Sequence, residues 1–199
     1  MAYFLKNLMG NAAKGRVREL AVHPNPVLTQ ACDEIDLQGE RDSTAALARD
    51  LIATMRAYEG VGLAAIQVGV PKRILVYDVS GEDSGPGDEP QVLVNPRIVE
   101  TAGESITDEE GCLSFPNVYF PVERPATVTV VAQDLAGKEV RIEDAEGMLA
   151  RVLQHEIDHL DGVMILARAK PHIRTKALRA FSTHDPTSPD IITITDEEG

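Results

Sequence analysis

The sequence predicts an α+β fold in which antiparallel sheets pack around a central helix, on three observations. Segments rich in β-branched residues fill much of residues 73 to 143. Two other stretches carry apolar residues at helical spacing, and one of them follows the strands. With 199 residues, 43% hydrophobic and 26% charged, the chain has the size of one ordinary domain and the composition of a globular protein.

The first helix is expected from Asp42. DSTAALARDLIATMRAYEG sets Leu47, Leu51, Met55 and Tyr58 on one face behind an Asp/Ser N-cap, with Gly60 available to stop it. RILVYDV (73–79) and QVLVNPRIV (91–99) read as strands, and the acidic, glycine- and proline-broken GEDSGPGDEP between them reads as a mobile surface loop. ATVTVVAQ and KEVRIE flank DLAG, a hairpin turn between antiparallel strands. After Asp144, AEGMLARVLQHEIDHLDG places Met148, Val152, Ile157 and Leu160 along an apolar stripe ending at Gly162. Near the C-terminus, Ile192 and Ile194 alternate among β-branched neighbours, which predicts a short strand that caps a sheet edge or pairs with a second chain.

Nineteen Lys and Arg against 32 Asp and Glu give a net charge of -13, which disfavours general binding to a phosphate backbone. The distribution is uneven. Residues 162–184 hold no acid but carry Arg168, Lys170, Arg174, Lys176 and Arg179, whereas 185–199 hold acids and no base. A solvated helix face is the ordinary reading of such a cluster. No run approaches the roughly 18 apolar residues of a membrane span, and the N-terminus lacks a secretory signal, so no membrane association and a cytoplasmic location are expected. Lys6, Lys14, Arg16 and Arg18 faintly resemble a transit peptide, but that segment contains no serine.

Cys32 lies in TQACDEID with no partner ligand nearby and reads as a packed thiol. The chemistry points elsewhere, to His155-Glu156-Ile157-Asp158-His159. Residues i and i+4 lie one helical turn apart on the same face, so both imidazoles can converge on one divalent metal, with Glu156 beside the open coordination position. A catalytic site of this kind needs a third protein ligand. The metzincin pattern would put a histidine where this chain has Ile165, and no glutamate lies between Glu156 and Glu197 to serve as in thermolysin-type enzymes. The third ligand should lie upstream, and Cys112 in EEGCLSFP is a good candidate. GVGLAAIQ (60–67), taken alone, reads as a helix stop and a turn.

Together GVGLAAIQ (60–67), EGCLS (110–114) and QHEIDH (154–159) resemble the three ordered motifs of the peptide deformylases, over a span from about Arg18 to Leu166. The resemblance implies a single catalytic domain over 18–182, with an N-terminal extension at 1–17 and an acidic tail at 183–199. It implies a hydrolase that removes the formyl group from the N-terminal methionine of newly made proteins, releasing formate. Cys112, His155 and His159 would bind a divalent metal, Fe(2+) in many members, with Zn(2+), Ni(2+) or Co(2+) as substitutes. Metal-activated hydroxide would attack the formyl carbon, Glu156 would act as general acid/base, and Gln67 and the Leu113 N–H would hold the oxyanion. Val61, Met148 and Val152 would receive the methionine side chain, and Gly62 would let the peptide backbone approach. Glu110 would hold a histidine ring, and Arg124 would pair with Asp158. Many members carry an arginine at the position of Tyr119, so contacts beyond the first substrate residue are expected to differ. The basic segment 168–179 would stand in for the long C-terminal helix that some members use near the ribosomal tunnel exit. Two rivals remain at this point: a metallopeptidase whose third ligand is Asp161 or Asp185, and a noncatalytic protein that keeps the metal for structure.

Overall fold

The computed structural model describes residues 15–79, 89–184 and 188–196; most of the predicted surface loop and of the N-terminal extension lies outside them. Helix α1 spans Arg41–Ala57, followed by strands β1 (Gly62–Ala64), β2 (Ile74–Tyr77), β3 (Gln91–Cys112), β4 (Phe115–Gln133) and β5 (Glu139–Glu146). Helix α2 spans Gly147–Leu160, helix α3 Pro171–Thr183 and strand β6 Ile192–Thr193. Strands β1 to β5 pair antiparallel in sequence order, and β6 joins β4 in parallel.

Strand β2 shows why the layers form. All four of its residues are buried, as expected of a strand covered on both faces. Successive side chains point to opposite sides. Ile74 and Val76 therefore join Leu47, Leu51 and Met55 of α1, while Leu75 joins Val152, Leu153, Ile157 and Leu160 of α2. A third cluster sets Phe115, Val118, Phe120 and Val122 of β4 against Ile173 and Ala177 of α3. Truncating a wholly buried side chain such as Leu153 removes about 2–5 kcal/mol by the general rule for cores.

Several local details differ from expectation. Helix α1 is capped at Glu40, whose carbonyl accepts from the Ser43 and Thr44 hydroxyls, and its left-handed end residue is Glu59 at φ 56°, not Gly60. Tyr58 and Met148, placed on apolar stripes by spacing, are exposed; Tyr58 is the end residue of α1 and Met148 lies in the first turn of α2. Strand β3 runs far past residue 99 as an arm paired with β4. Helix α2 stops as expected at Gly162, which takes φ 74° and lies so close to Thr29 that a Cβ would meet its carbonyl oxygen at 2.8 Å. The C-terminal strand caps an edge of β4, as its alternation predicts. At the other end, Arg16 and Arg18 tie the N-terminal segment to Asp50 and Thr54 of α1.

Candidate metal centre

Three local structures deliver the predicted ligands to one point. Strand β3 ends on Cys112, a tight turn through Leu113 and Ser114 starts β4, and α2 projects His155 and His159 from consecutive turns of one face. Cys112 Sγ lies 3.2 Å from His159 Nε2, the two imidazole centroids are 5.0 Å apart, and the three ligand atoms fall within 4.8 Å of one another. A sulfur and a nitrogen bound tetrahedrally to one late first-row cation are separated by about 3.5 Å, so this set fits such an ion after small shifts. The packed thiol of Cys32 is outside this group, and burial pushes it up to about 11.

The surroundings act differently on the two imidazoles. Glu110 Oε2 lies 2.9 Å from His155 Nδ1; with the proton on Nδ1, that contact leaves the Nε2 lone pair for a metal. Burial, helped by the charge of His155, lowers the pKa of His159 well below its ordinary value and keeps it neutral, the form that binds metal. Its Nδ1 is buried without a hydrogen-bond partner. For His155 burial acts to lower the pKa, but contacts with Cys112 and Glu110 outweigh it.

Glu110 is itself gripped. Arg124 Nε and Nη2 donate to its two oxygens at 2.6 and 2.9 Å, and Arg151 Nη1 adds a third bond at 2.7 Å. Burial alone would raise the Glu110 pKa, yet the His155 and Arg124 hydrogen bonds hold it at about 2. Arg124 Nη1 continues to Asp158 at 2.8 Å, and Asp158 also accepts from Nε and Nη2 of Arg168. One strand, its neighbour and the ligand helix are thus joined through a charge-paired network whose Arg124 is 4% exposed.

On the opposite side stand Glu156 and Gln67. The Gln67 amide is fixed by the Ala64 N–H, which donates to Oε1 at 2.8 Å; its Nε2 then faces Ser114 Oγ at 3.3 Å and Cys112 Sγ at 3.8 Å. Glu156 is 4% exposed, and its Oε2 has no hydrogen-bond partner. Burial, opposed by the charge of His155, raises its pKa to about 7. An unpaired carboxylate oxygen in that setting is costly unless a cation, water or substrate completes it.

Gly62 also meets a steric demand. A Cβ there would lie 2.5 Å from Glu156 Oε1, so the missing side chain makes room for the carboxylate. Gly62→Ala should therefore displace Glu156 and lower activity by about 10-fold or more while the metal content stays at that of the parent, since a 1 Å misplacement can cost about 10²-fold. Parallel metal analysis and turnover assays check this; unchanged turnover would contradict it.

The remaining predicted residues fall in distinct places. Leu113 is half-buried, with its side chain against Gly60. Val61 is 47% exposed beside Gly62, Val152 is buried in the core between α2 and the sheet, and Met148 lines a shallow cavity with Arg151, Gln154 and Pro125. Sequence reasoning missed Ser114, Arg151 and Arg168. Ser114 lies inside EGCLS and Arg151 stands four residues before His155, signals that were present; the contacts of Arg168 depend on tertiary packing.

A thiol and two imidazoles converging beside a buried carboxylate with one unpaired oxygen, on an α+β scaffold, define a metal-dependent hydrolase. The chain belongs to the polypeptide deformylase family, whose sequence profile matches residues 17–175. Enzymes of this family remove N-formyl groups from nascent peptides. The peptide deformylase of Rhizobium meliloti is 45% identical over 169 residues, spanning 83% of this chain and 92% of that protein. That of Dictyoglomus thermophilum is 45% identical over 153 residues, spanning 77% and 93%. The crystal structure of peptide deformylase from Ehrlichia chaffeensis in complex with actinonin superposes with a TM-score of 0.74 at 36% identity, covering 86% of this chain and 99% of that one.

Proposed function

We propose that Cys112, His155 and His159 hold one divalent metal, natively Fe(2+), and that this centre hydrolyses the formyl group of N-formyl-methionyl nascent chains. The convergence of three ligand atoms beside Glu156, whose Oε2 is unpaired, carries the reading. When bound, the metal supplies Lewis acidity and lowers the pKa of water towards about 7. Glu156 then takes a proton from the attacking water at Oε2 and returns it to the leaving nitrogen as the formyl C–N bond breaks, giving formate and a free α-amine. Gln67 Nε2 and the Leu113 N–H donate to the formyl oxygen as it becomes negative, each worth about 10² to 10³ in rate by comparison with other oxyanion donors. Glu110, held by Arg124, keeps the His155 ring oriented, and Asp158 anchors Arg124.

Val61 and Met148 offer apolar surface to the methionine side chain, with Val152 as a wall and Gly62 leaving the backbone accessible. Residues 18–182 form the catalytic domain in this reading, with 1–17 an extension and 183–199 a tail. Its place of work is the cytoplasm, and no helix among the described residues is long and apolar enough to cross a membrane. Docking near the ribosomal exit would use the segment 168–179. Arg168 and Lys170 are already ion-paired with Asp158 and Asp196, so such docking would draw on Arg174 and Arg179 of α3.

Iron as the native metal makes a testable demand. Iron-loaded protein should lose formate-releasing activity in air through oxidation of the metal or of the Cys112 thiolate, and nickel replacement should protect it. Iron-loaded protein that kept its activity for days in air would contradict this.

A further inference from the structure

We propose that the C-terminal strand β6 is a positioning element for the substrate site, holding the Tyr119 ring as a wall that contacts peptides longer than formyl-methionine. The proposal rests on the reading of the Cys112 centre given above. Strand β4 follows β3 down to Phe120, opposite Glu110, and then loses register; the next pair is Phe115 opposite Cys112. Four β4 residues, Pro116 to Tyr119, thus face the single residue Gly111, and the excess bulges outward with Asn117 at φ 63°. The Tyr119 ring fills this gap. A Cβ on Gly111 would lie 2.5 Å from Tyr119 Cε1 and 2.6 Å from Cζ, so the ring rests directly on the backbone next to Cys112 while remaining 38% exposed.

Where β4 gives up its pairing with β3, β6 supplies a substitute. Val118 pairs with Ile192 and Tyr119 with Thr193, and the Ile194 N–H donates to the Tyr119 carbonyl at 2.8 Å. A two-residue strand does not hold itself. This one is anchored at both ends, by Asn117 Nδ2 donating to the Ser188 carbonyl at 3.0 Å and by Asp196, which pairs with Lys170 at 2.5 Å and His172 at 2.6 Å. Ile194 adds contact with the Phe115–Phe120 cluster.

The geometry points to substrate length as the readout. Glu156, Gln67 and Ser114 are buried around the metal centre, and in this proposal a bound peptide leaves by the exposed side next to Gly111. Val61, next to Gly62, and Tyr119, whose ring lies over Gly111 beside Cys112, are both exposed apolar side chains. Formyl-methionine amide ends before that side, whereas a formyl-methionyl tripeptide crosses it and meets the ring.

The test compares kcat and KM for formate release from these two substrates in the parent, a chain ending at Pro189, Ile194→Pro, Tyr119→Ala and Tyr119→Phe, with NMR contacts between the Tyr119 ring and Gly111 followed in parallel. Truncation and Ile194→Pro should raise the tripeptide KM about 3- to 10-fold, the range of one aromatic contact, with kcat and both constants for formyl-methionine amide within about twofold. Tyr119→Phe should retain the parent KM, and truncation should add nothing in a Tyr119→Ala background. The ring–Gly111 contact should vanish on truncation. Equal losses for both substrates, full additivity with Tyr119→Ala, an unchanged tripeptide KM, or a ring contact that survives truncation would overturn the proposal. A parent that releases formate from neither substrate would refute the reading of the metal centre, and the ring contact would still decide the role of β6.

Discussion

Glu156→Ala is expected to purify with the metal content of the parent and to release formate about 10² to 10⁴ times more slowly. The reason is positional. Glu156 sits between His155 and His159 on α2, but its carboxylate turns towards Gly62, with Oε2 unpaired, while the Cys112, His155 and His159 atoms gather on their own. Its burial raises the pKa to about 7, near that of a group that must both accept and return a proton at neutral pH. Glu156→Gln, which preserves shape without basicity, should fall as far. Full formate release by either variant would remove the acid/base assignment, and loss of metal would make Glu156 a ligand.

Cys112→Ala and His159→Ala should behave differently, losing metal and activity together. Each removes one of three protein donors, and each leaves the others in a site whose remaining surface is poorly suited to replace it. Beside Cys112 Sγ lies the Gln67 amide, at 3.8 Å, which is not a strong ligand for a late first-row cation. Metal analysis after dialysis, at equal protein concentration, checks the outcome. A metallopeptidase with Asp161 as third ligand would retain its ion in Cys112→Ala; in the structure Asp161 instead pairs with Arg73.

What could be read from the sequence follows from how far apart the interacting residues lie. His155 and His159 are linked by one helical turn, and GVGLAAIQ holds both Gly62 and the Gln67 that bonds Ala64, so local spacing carried most of the centre. The outer part of β3 was invisible for a physical reason: residues 99–109 are mostly exposed on both faces of a two-stranded arm, so no alternation of apolar side chains marks them. The triple grip on Glu110 was only partly legible. Its contact with Arg151 joins residues 41 apart and depends on the register of β3 against β4 and on the rotation of α2. Tyr119 stood out only as a departure from the family pattern. Its seat on Gly111 requires the bulge in β4, and no spacing rule announces that bulge.

The most direct test of the account is a metal titration of formate release. Protein purified anaerobically, stripped by a chelator and supplied with formyl-methionyl peptide should release no formate; Fe(2+) added in steps should restore release in proportion, reaching a plateau at one equivalent per chain. Undiminished release from the stripped protein, or none at full occupancy, would contradict it.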